Sequence, residues 1–205
     1  MVTHLDRVAV FIDWQNVYQS ARRAFALTAL PSERGVISPY QVARILAAGN
    51  DRASDGVLVK VEIHRGLPSS ARDPTGFAAN RRHSAAWIKE NPDVVIPRMR
   101  PLRYPDNPNG EPEEKGVDVQ LALSAVEHAL VGECEVVVIF SHDTDLVPAI
   151  ETITRITGKS HVETASWSSP THKARLRPKV AVFHHNLGED VFRQVETPVN
   201  YAYVE

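Results

Sequence analysis

Two short apolar runs constrain the fold of this chain more than any other feature. The runs are "RVAVFI" at residues 7–12 and "EVVVIF" at residues 135–140. Near-continuous stretches of Val, Ile and Phe are typical of strands that are covered on both faces, as in the middle of a parallel sheet. Each run ends in polar sequence, "DWQN" after the first and "SHDTD" after the second. The pattern predicts two central strands with aspartates at their carboxyl ends.

Weaker apolar runs alternate with segments of helical periodicity along the rest of the chain, which is the pattern of βα units. It predicts an α/β fold with a central, mostly parallel sheet and helices on both faces. Further strands are predicted at residues 56–65, 93–99, 161–167 and 180–185, and helices at about 16–27, 38–49, 75–90, 115–130, 145–157 and 170–177. A length of 205 residues with 43% hydrophobic content suits one domain. We predict a domain over residues 1–190 and a C-terminal tail over 191–205.

Composition narrows the class of protein. A formal net charge of −2 excludes a bulk electrostatic attraction to nucleic acid, although local basic patches remain possible. Cys134 is the single cysteine, so no internal disulfide forms, which fits a reducing compartment. The N-terminal sequence has no apolar run long enough for a signal peptide or a membrane span. We therefore expect a cytoplasmic protein with no membrane partner.

Aspartates are expected to converge at one edge of the sheet. Asp13 follows the first central strand, and Asp143 and Asp145 follow the second. In open α/β sheets, ligand sites lie outside the carboxyl ends of the strands, where the strand order reverses. Asp118 lies near the start of the predicted helix at 115–130, at the margin of its apolar stripe, where it can face the same cleft. The stripe, which we expect to face the core, consists of Val119, Ala122, Leu123, Val126 and Leu130, with Gln120, Ser124, Glu127 and His128 turned away from it.

Three converging carboxylates need a counter-charge. Two unit charges about 4 Å apart repel by roughly 4 kcal/mol at an effective dielectric constant near 20. A hard divalent cation removes this conflict and can activate water for attack on a phosphoryl group. The sequence thus predicts a Mg²⁺ or Mn²⁺ site at Asp13, Asp118 and Asp143. The alternative is structural, since Asp13, Asp143 and Asp145 could cap helices and Asp118 could complement the positive end of its own helix.

Three motifs resemble a known family. "VAVFIDWQNVY", "EKGVDVQLALSAVEHA" and "VVVIFSHDTDLVPAIE" resemble, in order and spacing, the motifs of NYN domains, which are members of the PIN-like nuclease superfamily related to the LabA proteins. "GKSHVETASW" and "VAVFHHN" resemble the family's later strands, so the likeness covers about residues 7–185. The resemblance implies a PIN-like Rossmannoid fold and metal-dependent cleavage of RNA phosphodiesters.

The resemblance also implies roles for individual residues. Asp13, Asp118 and Asp143 match the metal-binding acids of the family. Asn16 completes the first motif and Asp145 is the second acid of the third motif, and both are expected to orient ligands and metal-bound waters.

Further residues are implied to contact the substrate, and one position departs from the family. Ser141 leads the third motif, and Lys115 of "KGVD" is expected near the scissile phosphate. Trp14 could stack on a base or pack over the sheet edge. Ser124 stands where many relatives carry an acid, so a ligand or an outer group of the metal site could be missing.

Basic clusters could form a track for nucleic acid. "IPRMRPLRY" contains Arg100 and Arg103, and "HKARLRPK" contains Lys173 and Arg175. Such residues supply most of the non-specific affinity for nucleic acid when they contact phosphates. The alternative is that each cluster is a solvated face.

Together these features predict a metal-dependent endoribonuclease that cuts single-stranded RNA. One alternative is an NYN domain of weak or no activity that binds RNA or a protein. A phosphatase of the haloacid dehalogenase type is disfavoured, because Gln15 occupies the place of its second acid. Relatives that dimerise make a homodimer possible, and the tail "DVFRQVETPVNYAYVE" could mediate it.

Overall fold

A parallel sheet forms the centre of the molecule. The structure is a computed structural model that describes residues 5–49, 56–106, 110–158 and 161–201. Within these residues the sheet has six strands in the order β3-β2-β1-β4-β5-β6, and each neighbouring pair is parallel. The strands are β1 (Asp6–Asp13), β2 (Gly56–Leu67), β3 (Val95–Pro101), β4 (Val136–Phe140), β5 (Val162–Trp167) and β6 (Phe183–Leu187). The predicted α/β fold class is confirmed.

Helices connect the strands and begin at identifiable caps. They are α1 (Trp14–Ala24), α2 (Pro39–Ala48), α3 (Pro74–Glu90), α4 (Val117–Val131), α5 (Val147–Thr157) and α6 (Glu189–Val195), with a 3₁₀ turn (Thr144–Leu146) before α5. The side chains of Asp13, Ser38 and Asp73 accept a backbone N–H at the starts of α1, α2 and α3. Proline directly follows Ser38 and Asp73, where its fixed φ suits the first helical turn.

Two separate cores explain the continuous apolar runs. On β1, Val8, Val10 and Ile12 pack on one face of the sheet with α1, α2, α3 and α6. Ala9 and Phe11 pack on the opposite face with α4 and α5. Each side chain from Val8 to Ile12 is therefore buried, whichever way it points, and an apolar residue is favoured at each of these positions.

The predicted helix at 170–177 is wrong. Residues 169–172 form a tight turn, in which the backbone groups of Ser169 and His172 bond to each other, and residues 173–178 have no regular structure. Leu176 is the one buried side chain of this basic segment. A helix here would lack an apolar stripe to pack against the sheet, which accounts for the extended path.

The predicted orientation of α4 is also wrong. Val119, Leu123 and Leu130 are more than half exposed, although the projection directed them to the core. The side chains that α4 buries are Val117, Leu121, Ala125, His128 and Ala129. Both faces of α4 carry apolar residues, so the sequence pattern alone could not decide which face packs inward.

The described part of the tail packs against the domain. α6 buries Phe192 and Val195, and the backbone N–H of Ser38 donates to the carbonyl of Val195. The boundary at residue 190 stays a prediction, and residues 202–205 lie outside the described part. In the portion of the chain that the structure covers, no helix is both long and apolar enough to cross a membrane.

The order of the strands places a crevice beside β1. The chain runs outward through β1, β2 and β3, then returns to pair β4 with the other side of β1. Connections therefore diverge between the carboxyl ends of β1 and β4, and this divergence leaves room for a ligand.

Candidate active site

A cleft of about 350 Å³ opens at this point of divergence. Asp13 ends β1, Asp143 follows β4, and Asp118 lies in the first turn of α4. All three predicted acids lie in its walls, so the structure brings them together. The complete lining is Asp13, Gln15, Asn16, Gln19, Glu114, Val117, Asp118 and Asp143.

Asp13 is buried at the base of the cleft and holds two hydrogen bonds. The backbone N–H of Asn16 donates to its Oδ1 at 3.3 Å, and the Ser141 hydroxyl donates to its Oδ2 at 3.1 Å. The first bond caps α1, so Asp13 also has the helix-capping role that was the structural alternative for it. The same carboxylate can cap a helix and face a ligand.

The environment of Asp13 disfavours its negative charge. Burial raises the pKa of Asp13 to about 6, although the bonds from Asn16 and Ser141 act in the opposite direction. The charges of Glu114 and Asp143 raise it further. Perturbed carboxyl groups of this kind are typical of clefts that bind a cation or move a proton.

Hydrogen bonds join the ends of β1 and β4. The Asn16 side-chain Oδ1 accepts the backbone N–H of His142 at 3.0 Å, and Ser141 Oγ accepts the N–H of Asp143 at 3.0 Å. Asp143 Oδ1 in turn accepts the N–H of Asp145 at 3.0 Å and caps the 3₁₀ turn. The side chain of Asp145 is exposed and lies outside the cleft walls.

Glu114 is a fourth acid of the cleft that the sequence analysis missed. Its Oε1 accepts the backbone N–H of Gly66, at the end of β2, at 2.6 Å. A Cβ on Gly66 would lie 2.2 Å from Leu102 Cδ2 and 2.7 Å from Glu114 Oε1, so a larger residue here would displace these side chains. The signal was present, since Glu114 directly precedes "KGVD", but the surrounding Pro- and Glu-rich sequence indicated a surface loop.

The predicted cations beside α4 are exposed. Lys115 lies between the cleft residues Glu114 and Val117, and its carbonyl accepts Arg100 Nε at 3.1 Å. Arg103 follows Arg100 in the segment after β3, and its backbone pairs with the backbone of Glu113.

Lys173 and Arg175 lie in the basic segment after β5, and neither is among the residues that line the cleft. They follow His172, whose ring contacts the ring of His142 with centroids 5.9 Å apart. His142 directly precedes Asp143, so the basic segment starts beside the end of β4, and both cations are exposed.

Trp14 is not available to stack on a base. It is only 4% exposed and packs against Trp87 and His83, with ring centroids 4.5 and 5.0 Å apart. The structural interpretation of Trp14 therefore replaces the proposed stacking role, because the side chain of this first residue of α1 turns into the core.

Ser124 points away from the cleft. Its hydroxyl donates to Glu62 Oε2 at 2.7 Å, on the opposite side of α4 from Asp118. The absence of an acid at this position therefore removes no group from the cleft walls.

The donors of the cleft fit a hard divalent cation in chemistry but do not form a preassembled site. Asp13, Glu114, Asp118 and Asp143 offer only oxygen atoms, and their mutual repulsion is uncompensated within the cleft. Among the described residues, no three His, Cys, Asp or Glu side chains are grouped closely enough to hold a metal ion together. Mg²⁺ commonly takes one or two direct carboxylates and keeps several waters, so the donor set suits it.

The strand order and the acidic cleft define a Rossmann-like α/β protein with a PIN-like fold. The family model of the NYN domain matches residues 7–184, and the chain belongs to this family, which is one of PIN-like nucleases. The crystal structure of a protein of unknown function from Vibrio parahaemolyticus is similar, with a TM-score of 0.52 and 19% identity over 81% of this chain and 84% of that chain. No curated protein sequence matches the chain.

Proposed function

We propose that this protein is a metal-dependent endoribonuclease that hydrolyses phosphodiester bonds of single-stranded RNA. The observation that carries the proposal is the meeting of Asp13, Glu114, Asp118 and Asp143 in one cleft between β1 and β4. Membership of the NYN family supports the same reaction class.

Asp13, Asp118 and Asp143 are the residues that would hold Mg²⁺ or Mn²⁺, with Glu114 in the adjoining wall. When bound, such an ion supplies a water of lowered pKa and neutralises the charge that develops on the phosphoryl group.

The chain's own residues fix the orientation of the acids. The Ser141 hydroxyl and the backbone N–H of Asn16 each donate to one carboxylate oxygen of Asp13. The backbone N–H of Asp145 donates to the carboxylate of Asp143. Asn16 is itself fixed by the backbone of His142. Such surrounding bonds restrict the acids to one geometry and reduce the reorganisation that catalysis would need.

Exposed cations in the segments that adjoin α4 and the end of β4 support a nucleic-acid substrate. Arg100 and Lys115 lie beside α4, and Lys173 and Arg175 follow the turn beside β4. These side chains would contact phosphates without reading sequence. Single-stranded RNA is favoured because its unpaired backbone can enter a narrow cleft, as a duplex cannot.

One observation favours a second candidate, an NYN domain that binds RNA or a protein without cutting. The acids line one cleft, but within the described residues they are not drawn into a ready-made metal cluster. A pure binder would retain RNA in EDTA and never shorten it.

Cleavage of end-labelled single-stranded RNA by the purified protein tests the proposal. The reactions contain Mg²⁺, Mn²⁺ or EDTA, and Asp13→Asn, Asp118→Asn and Asp143→Asn are run in parallel. We expect metal-dependent products whose rate of formation falls at least about 100-fold in each variant, because a lost metal ligand costs at least as much as a lost outer partner. Glu127→Gln is the matched control, since Glu127 is an exposed acid on α4 outside the cleft.

Products that persist in EDTA, or in all three variants, would remove this cleft from the chemistry. Intact RNA under every metal, together with retained binding, would leave the binding-domain candidate.

A further inference from the structure

The acidic cleft continues into a longer groove. A neighbouring hollow of about 450 Å³ shares Gln15 and Glu114 with the cleft and also contains Arg65 and Asn80 in its walls. A third hollow, of about 270 Å³, shares Arg65 and Asn80 with the second. The three hollows therefore form one path that runs from the acids, over Gln15 and Glu114, to Arg65.

Arg65 is a partly buried cation whose Nε is fully buried and which forms no direct ion pair within the described residues. Among the described residues, no carboxylate forms an ion pair with it, and its Nε has no hydrogen-bond partner. Its guanidinium lies over the rings of Trp14 and Trp87, with 5.7 and 5.6 Å to the centroids, which hold it rigidly in place.

Burial lowers the pKa of Arg65 to about 10, against the opposing effect of the Glu114 charge, so the group stays protonated at neutral pH. A charge that is withdrawn from water and has no ion-pair partner lowers the stability of the folded protein. A bound anion would supply the missing partner and offset this loss.

Two further buried polar atoms next to Arg65 lack partners in the described structure. They are His83 Nε2 and Asn80 Oδ1. Arg65 Nη1 donates a hydrogen bond to His83 Nδ1 at 3.4 Å, which leaves the hydrogen of the neutral ring on Nε2 as a donor. Burial, and then the charge of Arg65, lower the pKa of His83 far below its usual value, so the ring is neutral at physiological pH. The end amide of Asn80 can rotate to present its NH₂ group.

We propose that Arg65, with His83 and Asn80, forms a subsite for an internal phosphodiester group of the substrate, next along the strand to the group that is cut. The subsite rests on the proposed function, because it defines the path of the RNA from the acidic cleft. The planar fork of a guanidinium matches two phosphate oxygens, and the free Nε–H is one arm of that fork.

Binding of fluorescent single-stranded RNA in EDTA, measured by anisotropy, tests the subsite without cleavage. We expect Arg65→Met to bind about ten- to a hundred-fold more weakly, as for the loss of a hydrogen bond to a charged group. The slope of log affinity against log salt should fall by about 0.7, the value for one phosphate contact on a single strand. Arg155→Met is the control, since Arg155 is an exposed cation on α5.

A second variant covers the case in which Arg65→Met does not fold. Arg65→Lys keeps the positive charge but loses the fork, so we expect several-fold weaker binding with an unchanged salt slope. Wild-type affinity and slope in a folded Arg65→Met would overturn the subsite, and so would an effect seen only with 5′-phosphorylated RNA, which would indicate a site for a terminal phosphate.

The wild-type cleavage assay separates the two proposals. If the wild type cuts RNA and folded Arg65→Met binds and cuts equally well, the subsite fails and the nuclease stands. If the wild type neither binds nor cuts RNA, the proposed nuclease function fails. Titration with inorganic phosphate then tests whether Arg65 still binds an anion. A shift of the Arg65 Nε–H resonance, assigned by its loss in Arg65→Lys, would support it, and an unmoved resonance would overturn it.

Discussion

At the residue scale, the carboxylate of Glu62 is fully buried on β2, accepts hydrogen bonds from two side chains and lies next to a third. Arg98 Nη2 and Ser124 Oγ donate to it at 2.8 and 2.7 Å, and His64 Nε2 lies 3.3 Å away. Burial raises the pKa of Glu62, but the interactions with His64, Arg98 and Ser124 outweigh burial and bring the pKa well below its usual value. An acid at position 124 would face this carboxylate and repel it. Serine at position 124 therefore stabilises the Glu62 carboxylate, and its presence carries no information about the metal site.

Glu62→Gln should change how stability depends on pH. Because the folded pKa lies below the usual value of 4.5, the charged form stabilises the folded state above that pH, and this contribution is lost as the pH falls. We expect the variant to be less stable than the wild type by about 1–3 kcal/mol at pH 7, and by less at pH 3.5. Urea unfolding at the two pH values measures the difference. An equal loss at both would contradict the assignment, and Glu127→Gln should show neither effect.

At the scale of the element, α4 shows why a helical projection can select the wrong face. Its buried side includes Leu121, Ala125 and His128, and the His128 ring packs edge-on against Phe11 with centroids 5.3 Å apart. His128 Nδ1 also bonds to the carbonyl of Ser124 at 2.8 Å, so a polar residue is satisfied inside. Of the more hydrophobic stripe, Val119, Leu123 and Leu130 stay outside, and Ala122 and Val126 pack at the margin of the core. Packing against β1 and α5 decided the orientation, because these elements present the surface that the smaller Ala125 and Ala129 side chains fit.

Two leucines on α4 test this orientation. Leu121 is fully buried, so Leu121→Ala should lower the free energy of unfolding by about 2–5 kcal/mol. Leu123 is 66% exposed, and Leu123→Ala should change it by no more than about 0.5 kcal/mol. Denaturant unfolding of both variants gives the comparison. A larger loss for Leu123 would mean that this stripe is covered in solution, as a homodimer contact would require.

At the scale of the whole molecule, the C-terminal segment completes the core that carries α1. Phe192 stacks on Phe25 with ring centroids 4.7 Å apart and meets Trp167 edge-on. Glu196 pairs with Arg34 at 2.7 Å, and the ring of Tyr201 stacks on His83 at 4.2 Å. His83 belongs to the proposed phosphate subsite, so this segment also supports one end of the groove.

Phe192→Ala should therefore destabilise the whole domain. We expect a loss of about 3–5 kcal/mol in the free energy of unfolding, because a fully packed aromatic side chain leaves a cavity. Arg193→Ala is the control, since its ion pair with Glu189 is exposed and should contribute less than about 1 kcal/mol. Thermal and denaturant unfolding measure both variants. A loss for Phe192→Ala no larger than that of the control would mean that the segment only rests on the surface.

The sequence by itself determined the features that depend on local pattern. The continuous apolar runs identified β1 and β4, and the polar residues that follow them identified Asp13 and Asp143 as candidates, because strands buried on both faces are usually near-continuously apolar. The motif around Asp118 was equally visible. The α/β fold class followed from the alternation of apolar strand-like runs with segments of helical periodicity.

Only the tertiary structure decided what depends on contacts between distant segments. Glu114 enters the cleft through a bond to Gly66, 48 residues earlier, and Arg65 is partly withdrawn from water because its guanidinium packs over Trp14 and Trp87. The orientation of α4 and the extended path of residues 173–178 likewise depend on which surfaces meet. Periodicity describes how apolar a face is, whereas packing is decided by the shape and polarity of its neighbours, and the linear sequence does not display them.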